Sequence, residues 1–135
     1  MARGRPSLRS AGVRVITAID GNFDQALLRQ AFGAFPSGVT AFCGLIDGAP
    51  EGMAASSFTS VSLDPPLVSV CVASTSTTWP ELASLDRLGL SVLADEHAPV
   101  ARSLASKTGD RFNGVDWTST DTGAVFVHGS TLWLE

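Results

Sequence analysis

The 135-residue chain is 44% hydrophobic and 16% charged, enough for one globular domain with a real core and too short for separate cofactor and substrate domains. Its formal charge of −4 is uneven: Arg3, Arg5, Arg9 and Arg14 carry the start of the chain, whereas from Val15 onward five basic residues face thirteen acidic ones, which opposes a grip on a polyphosphate backbone by the folded body. No run approaches the ~20 apolar residues of a membrane span, and no secretion-signal order is present, so a cytoplasmic protein with no nucleic-acid or membrane partner is expected.

Residues 1–20 are rich in Arg, Ser and Gly and read as a flexible leader, with 21–135 as the single domain. Phe23, Ala26, Leu27, Ala31, Phe32 and Phe35 recur at helical spacing and predict an amphipathic helix of about three turns, stopped by Pro36 and Gly38. Residues 39–45 predict a strand, 47–52 a turn, and 53–58 a second strand. Ser60, Ser62 and Asp64-Pro65-Pro66 read as a loop before a strand over 67–72, where valine recurs beside other apolar residues.

The polar stretch 74–78 leads into a helix start at Trp79-Pro80-Glu81-Leu82. Thr78 and Glu81 hold the first and fourth positions of a capping box, and Pro80 is acceptable only near a helix start. A strand over 88–93, a helix over 100–106 and a loop over 107–114 follow, with Val115 and Trp117 at a core edge. Two short strands, 124–127 and 131–134, are joined at His128-Gly129-Ser130. Short strands interrupted by small helices, without regular βαβ spacing, predict a mainly β, barrel-like domain.

Cys43 and Cys71 both lie in apolar runs and are expected as buried free thiols. His97 and His128 have neither a short His-x-x-x-His pair nor a cysteine cluster beside them, so no metal is expected. His97 is predicted to face solvent and His128 to sit in a strand connection. Trp79, Trp117 and Trp133 read as core or dimer contacts rather than nucleotide-stacking platforms. Lys107 is the sole lysine, so any bound phosphate must be held mostly by hydroxyls, backbone N–H groups or arginine.

Three ordered segments carry a family likeness: Phe32-Gly33-Ala34-Phe35-Pro36-Ser37-Gly38-Val39-Thr40; the run 52–68, which includes Gly52-Met53-Ala54-Ala55-Ser56-Ser57-Phe58-Thr59-Ser60-Val61-Ser62-Leu63-Asp64-Pro65-Pro66; and 74–79. Together they resemble the flavin reductase-like family, the small reductase components of two-component flavin monooxygenases. The resemblance implies an antiparallel, Greek-key-like FMN-binding split β-barrel with short helical insertions. It further implies a homodimer with FMN, or FAD, near the subunit boundary, and NADH or NADPH as co-substrate. The implied activity is NAD(P)H-dependent flavin reduction, supplying a flavin-dependent monooxygenase component. By the same likeness, Met53, Ala54, Ala55, Ser56 and Ser57 lie along the isoalloxazine and ribityl chain, Ser74, Ser76 and Thr77 near the phosphate, and Pro36, Ser37 and Gly38 at the ring system. Arg111 and Phe112, with Asp110, match a further segment close to the cofactor.

The residues themselves are compatible with this and less specific. Ala54 and Ala55 let backbone approach a flat ring, and serine hydroxyls satisfy carbonyl or ribityl oxygens without adding charge; equally, such serines satisfy a strand edge or loop. Ser74, Ser76 and Thr77 precede a helix start where hydroxyls and free N–H groups converge on an anion, Thr78 reads as a structural cap, and Arg111 is the expected source of positive charge. No catalytic triad is required, because hydride transfer to flavin asks mainly for placement. Relatives continue past the stretch resembling 131–134, so a truncated chain or a shortened barrel is expected. The alternatives are a non-catalytic flavin-binding module, a truncated inactive homologue, a pyridoxamine phosphate oxidase-like enzyme, and a structural dimer without cofactor.

Overall fold

The computed structural model describes residues 37–135 together with Ala26 and Gly33, both helical. The expected leader, Pro36 and the other positions of the expected amphipathic helix lie outside the described residues. The chain divides into units 1–36 and 37–135; the second is described below.

Strand β1 (Thr40–Ile46) turns directly into β2 (Ala49–Ala55). Asp47 and Gly48 make the whole turn at φ 50° and 80°, the doubly positive geometry that matches strand twist in two-residue hairpins and that Asp-Gly supplies at least steric cost. Pairing therefore runs from Ile46 with Ala49 to Thr40 with Ala55. This corrects the longer turn and later strand expected from sequence: Pro50, Glu51 and Gly52 belong to β2, and the strand stops before Ser56. Pro50 is tolerated because β2 is the edge of its sheet.

The expected loop around Ser60 and Ser62 is also corrected, since β3 (Thr59–Leu63) and β4 (Pro66–Ser69) form an antiparallel hairpin with a register shift at Ser60/Ser62. Its serines alternate with Val61 and Leu63, which is a strand period rather than a loop composition. Then come the single turn α1 (Trp79–Leu82), β5 (Gly89–Val92), a 3-10 turn (Asp95–His97) and α2 (Ala98–Leu104). Strands β6 (Trp117–Ser119), β7 (Val125–Val127) and β8 (Leu132–Leu134) complete the described chain.

The strands form a four-stranded sheet in the order β2-β1-β5-β8 and two hairpins, β3-β4 and β6-β7. The result is mainly β with short helical insertions, and no closed barrel forms among the described strands. Strands β7 and β8, neighbours in sequence, separate: β7 pairs with β6, which sequence did not predict as a strand, while β8 pairs with β5. Hairpin β6-β7 lies across the larger sheet through a Gly44–Ala124 bridge and a bond from Leu45 N–H to Gly123 O of 2.9 Å. The buried Ser91 Oγ accepts from Val127 N–H at 3.0 Å. Ala41, Cys43, Leu104, Phe112, Val125 and Val127 form the core where these layers meet α2; truncating a side chain such as Leu104 to Ala there typically costs about 2–5 kcal/mol.

Two expectations about single side chains change. His97 is not simply in solvent: Nδ1 accepts from Ala94 N–H at 3.1 Å, and Nε2 lies 3.0 Å from His128 O. With Nδ1 an acceptor, Nε2 carries the proton and donates to the carbonyl, which ties the 3-10 turn to the β7–β8 connection. Cys43 is buried as expected, but Cys71 is exposed. Trp117 is half-buried and meets Phe112 edge to face at 6.3 Å. Trp133 is exposed, yet it stacks on Phe126 at 5.0 Å and donates Nε1–H to Val127 O at 2.9 Å.

The layer crossing depends on Gly89, because a Cβ there would fall onto the Val125 backbone. Gly89→Ala is expected to lower unfolding free energy by about 3 kcal/mol or more, measured by urea denaturation; a wild-type midpoint would show that the close approach is dispensable. Burial, with the Glu51 carboxylate adding to it, pushes the Cys43 thiol from 9.0 up to about 12. Above pH 9.0 the unfolded chain loses this proton while the folded chain keeps it, so stability falls as pH rises from 9.0 toward 12. Alkylation at neutral pH should modify Cys71 at once and Cys43 only on unfolding, and Cys43→Ala should flatten the alkaline loss.

Candidate functional site

The loop after α2 is shaped by its own sequence. Asp110 Oδ1 accepts from Phe112 N–H at 2.9 Å, and Val115 N–H donates to Phe112 O at 3.0 Å. This side-chain-capped turn sends Phe112 into the core and leaves Arg111 to reach across the surface. Arg111 Nε donates to Ser106 O at 2.7 Å, and Nη1 donates to Glu51 Oε1 and Gly52 O, each at 3.1 Å, and to Thr78 Oγ1. Its own carbonyl accepts from Ser103 Oγ at 2.8 Å. One guanidinium thereby joins β2, the connection before α1, and the end of α2.

Two clefts flank that contact. On one side, a cleft of about 480 Å³ is lined by Met53 and Ala54 of β2, by Ala73, Thr75, Ser76, Thr77 and Thr78, and by Leu104, Ala105, Ser106, Lys107 and Arg111. Its ionisable lining is Lys107 and Arg111, with no carboxylate. On the other side, a recess of about 280 Å³ is lined by Glu51, Glu81 and Asp110 together with Pro50, Thr77, Thr78, Gly109, Arg111 and Phe112. The Arg111–Thr78 contact thus divides a basic, hydroxyl-rich cleft from an acidic one. An apolar cleft of about 420 Å³, whose walls include Phe42, Val68, Val70, Val72, Trp79 and Leu90, shares Met53 with the first.

The first cleft brings together Met53, Ala54, Ser76, Thr77 and Arg111, residues drawn from three separated segments of the candidate set. Others lie elsewhere. Ser37, Gly38, Ser56 and Ser74 are exposed and line none of the three clefts, and Pro36 is outside the described residues. Ala55 O accepts from Thr40 Oγ1 at 3.0 Å. Ser57 Oγ donates to Cys71 O at 2.9 Å and accepts from Cys71 N–H at 3.0 Å. Phe112 is 7% exposed and packs in the core, reaching only the acidic recess. No group of three or more His, Cys, Asp or Glu residues is placed to hold a metal among the described residues.

The expected capping box does not form. Thr78 makes no side-chain cap, because its hydroxyl is taken by Arg111; Trp79 N–H donates instead to Ser76 Oγ at 3.1 Å. Glu81 is exposed on the acidic side of the divide. Helix α1 is a single turn, so its dipole is small, and the polar groups facing the first cleft belong to the loop. Ser76 Oγ acts as an acceptor toward Trp79, which leaves its O–H free to donate. Sequence reasoning does not pick out Glu51. The signal for it is the Asp47-Gly48 turn: once two residues complete the hairpin, Glu51 falls inside β2 opposite Gly44.

Ser76→Ala is expected to lower stability by about 1 kcal/mol, read from the urea midpoint, whereas Ser74→Ala, on an exposed hydroxyl without a hydrogen bond among the described residues, should leave it unchanged. Equal midpoints for the two variants would refute the cap assigned to Ser76.

A family model described as "Flavin reductase like domain" matches residues 32–135. The chain belongs to this flavin reductase-like family. It is 39% identical over 114 residues to the stachydrine N-demethylase reductase subunit Stc3 of Rhizobium meliloti (strain 1021), a match covering 84% of this chain and 50% of Stc3. It is 37% identical over 115 residues to the flavin-dependent monooxygenase reductase subunit HsaB of Rhodococcus jostii (strain RHA1), covering 83% of this chain and 57% of HsaB. Among solved structures, the NADH:FAD oxidoreductase SgcE6 of Streptomyces globisporus C-1027, in complex with NAD and FAD fragments, superposes with a TM-score of 0.70 at 38% identity. That match covers 82% of this chain and 67% of SgcE6. The chain spans about half the length of curated flavin reductase-like relatives such as Stc3 and HsaB. The resemblance carried by the three sequence segments is borne out at the level of the family.

Proposed function

We propose that this chain binds flavin and supports its reduction by NADH or NADPH, delivering reduced flavin to a flavin-dependent monooxygenase component. The observation that carries the reading is the first cleft: small side chains and hydroxyls from β2 and the loop before α1, two cations, and no acid. This donor set fits a flavin mononucleotide. Ala54 and Ala73 leave room for flat or extended groups, the Ser76 and Thr77 hydroxyls offer donors, and Lys107 and Arg111 offset the phosphate charge. FMN is favoured over FAD, because the neighbouring recess is lined by Glu51, Glu81 and Asp110 and opposes a second phosphate.

When bound, the flavin supplies the hydride-accepting chemistry, and the protein's task is placement. Met53 and Ala54 form the β2 wall, the hydroxyl loop holds the polar end, and Thr78 is kept in place by Arg111. Membership of the family supports the rest of the reading: a split β-barrel, a homodimer with flavin near the subunit boundary, and work in the cytoplasm. Ser56, Ser57, Ala55, Ser37, Gly38, Ser74 and Phe112 are assigned to that larger site only through the family likeness.

The test is anaerobic: the purified chain is mixed with FMN or FAD and then with NADH or NADPH, and the flavin's visible absorbance is followed. Bleaching that saturates with nicotinamide and scales with protein is the expected result. Flavin binding without bleaching by either nicotinamide would overturn the reductase reading in favour of a non-catalytic flavin-binding module.

A further inference from the structure

The geometry points to Glu51 as a positioning residue for the anionic end of the ligand, a phosphomonoester, acting through Arg111; this rests on the flavin reading above. Glu51 lines the acidic recess and not the ligand cleft. Its route to the ligand is the ion pair with Arg111 Nη1 at 3.1 Å, and the same carboxylate oxygen accepts from Gly52 N–H at 3.1 Å, which fixes it against β2.

An arginine carries five N–H donors in a rigid plane. Here Nε is committed to Ser106 O, and Nη1 to Glu51, Gly52 O and Thr78. Nη2 has no acceptor among the described residues. The guanidinium is gripped from three segments through Nε and Nη1, so its plane cannot turn without breaking several bonds at once. The two remaining N–H groups therefore keep a constant orientation on a side chain that lines both the carboxylate-free cleft and the acidic recess.

A guanidinium held in this way loses little freedom when an anion arrives, which is how preorganisation raises affinity. Glu51 does the holding: it supplies the one formal charge paired with Arg111 among the described residues. Gly52 O and Ser106 O are neutral backbone acceptors, and the Thr78 hydroxyl itself sits on the hydroxyl loop. Without the carboxylate, Arg111 is less firmly fixed and Thr78 loses its anchor, so the cost falls on the part of the ligand that carries charge.

The experiment compares FMN with riboflavin, which lacks the phosphate, by titrating protein against flavin fluorescence, with a thermal melt for each variant. Wild type should bind FMN more tightly than riboflavin. Glu51→Gln should weaken FMN by about tenfold or more and leave riboflavin within about twofold, and Glu51→Asp should recover part of the loss. If Glu51→Gln does not fold, Thr78→Val, which removes one acceptor of Nη1, should show the same selective loss. Equal weakening of both flavins in a folded variant, or no change for FMN, would overturn the positioning role while leaving the flavin reading intact. Binding of neither flavin by wild type would instead overturn the flavin reading, and this inference with it.

Discussion

The site depends on one partly buried guanidinium bridging three segments that the sequence keeps far apart. Arg111 and Glu51 are 60 positions apart, and Arg111 and Thr78 are 33 apart. Their meeting requires β2 to present a surface without a side chain at Gly52. A Cβ there would stand 2.6 Å from Cys43 Sγ and 3.2 Å from Phe112 Cζ, closer than carbon and sulfur atoms pack. Glycine at 52 lets Phe112 settle against β2, and the turn that buries Phe112 delivers Arg111 to the adjacent carboxylate. At side-chain exposures of 17% and 33%, the pair is neither fully desolvated nor freely screened, and the neutral acceptors around Arg111 add direction to the Coulomb attraction.

The partition of charge follows from the same contact. The described body is strongly acidic, so an anion site needs its carboxylates turned away. Glu51, Glu81 and Asp110 all lie on the recess side of Arg111 and Thr78, while Lys107 faces the other side. Separation over one side chain's width lets a chain with a single lysine offer a basic cleft at all. In the flavin reductase-like family reading, this arrangement matters more than a helix dipole, which a one-turn α1 hardly provides.

Strand identity was legible wherever short apolar runs were bounded by turn residues, as at β1, β5 and β7. It was obscured at β3, where Ser60 and Ser62 made a strand look like a loop, and at β6, where Trp117 gave too short an apolar signal. Pairing was not legible: β7 and β8 adjoin in sequence, yet Gly89 opens a path for β7 to cross the sheet while β8 joins its edge. The cleft residues Met53, Ala54, Ser76 and Thr77 stood out through family likeness and small polar chemistry. The bonding of Arg111 did not, since an isolated arginine carries no sign of which distant acceptors will surround it, and Thr78 fits a cap so well in sequence that its contact with Arg111 is invisible there.

The two-way bond between the Ser57 hydroxyl and the Cys71 backbone has a dynamic consequence. It closes the neck of the β3-β4 hairpin just outside the paired residues, and Val61, Leu63, Leu67 and Val68 beyond it remain exposed. With few buried side chains of its own, this arm is expected to open locally at a lower free energy than the rest of the described body. Its amides are therefore expected to exchange through local openings that spare the Arg111 junction, with backbone protection rising on passing inward through this clasp.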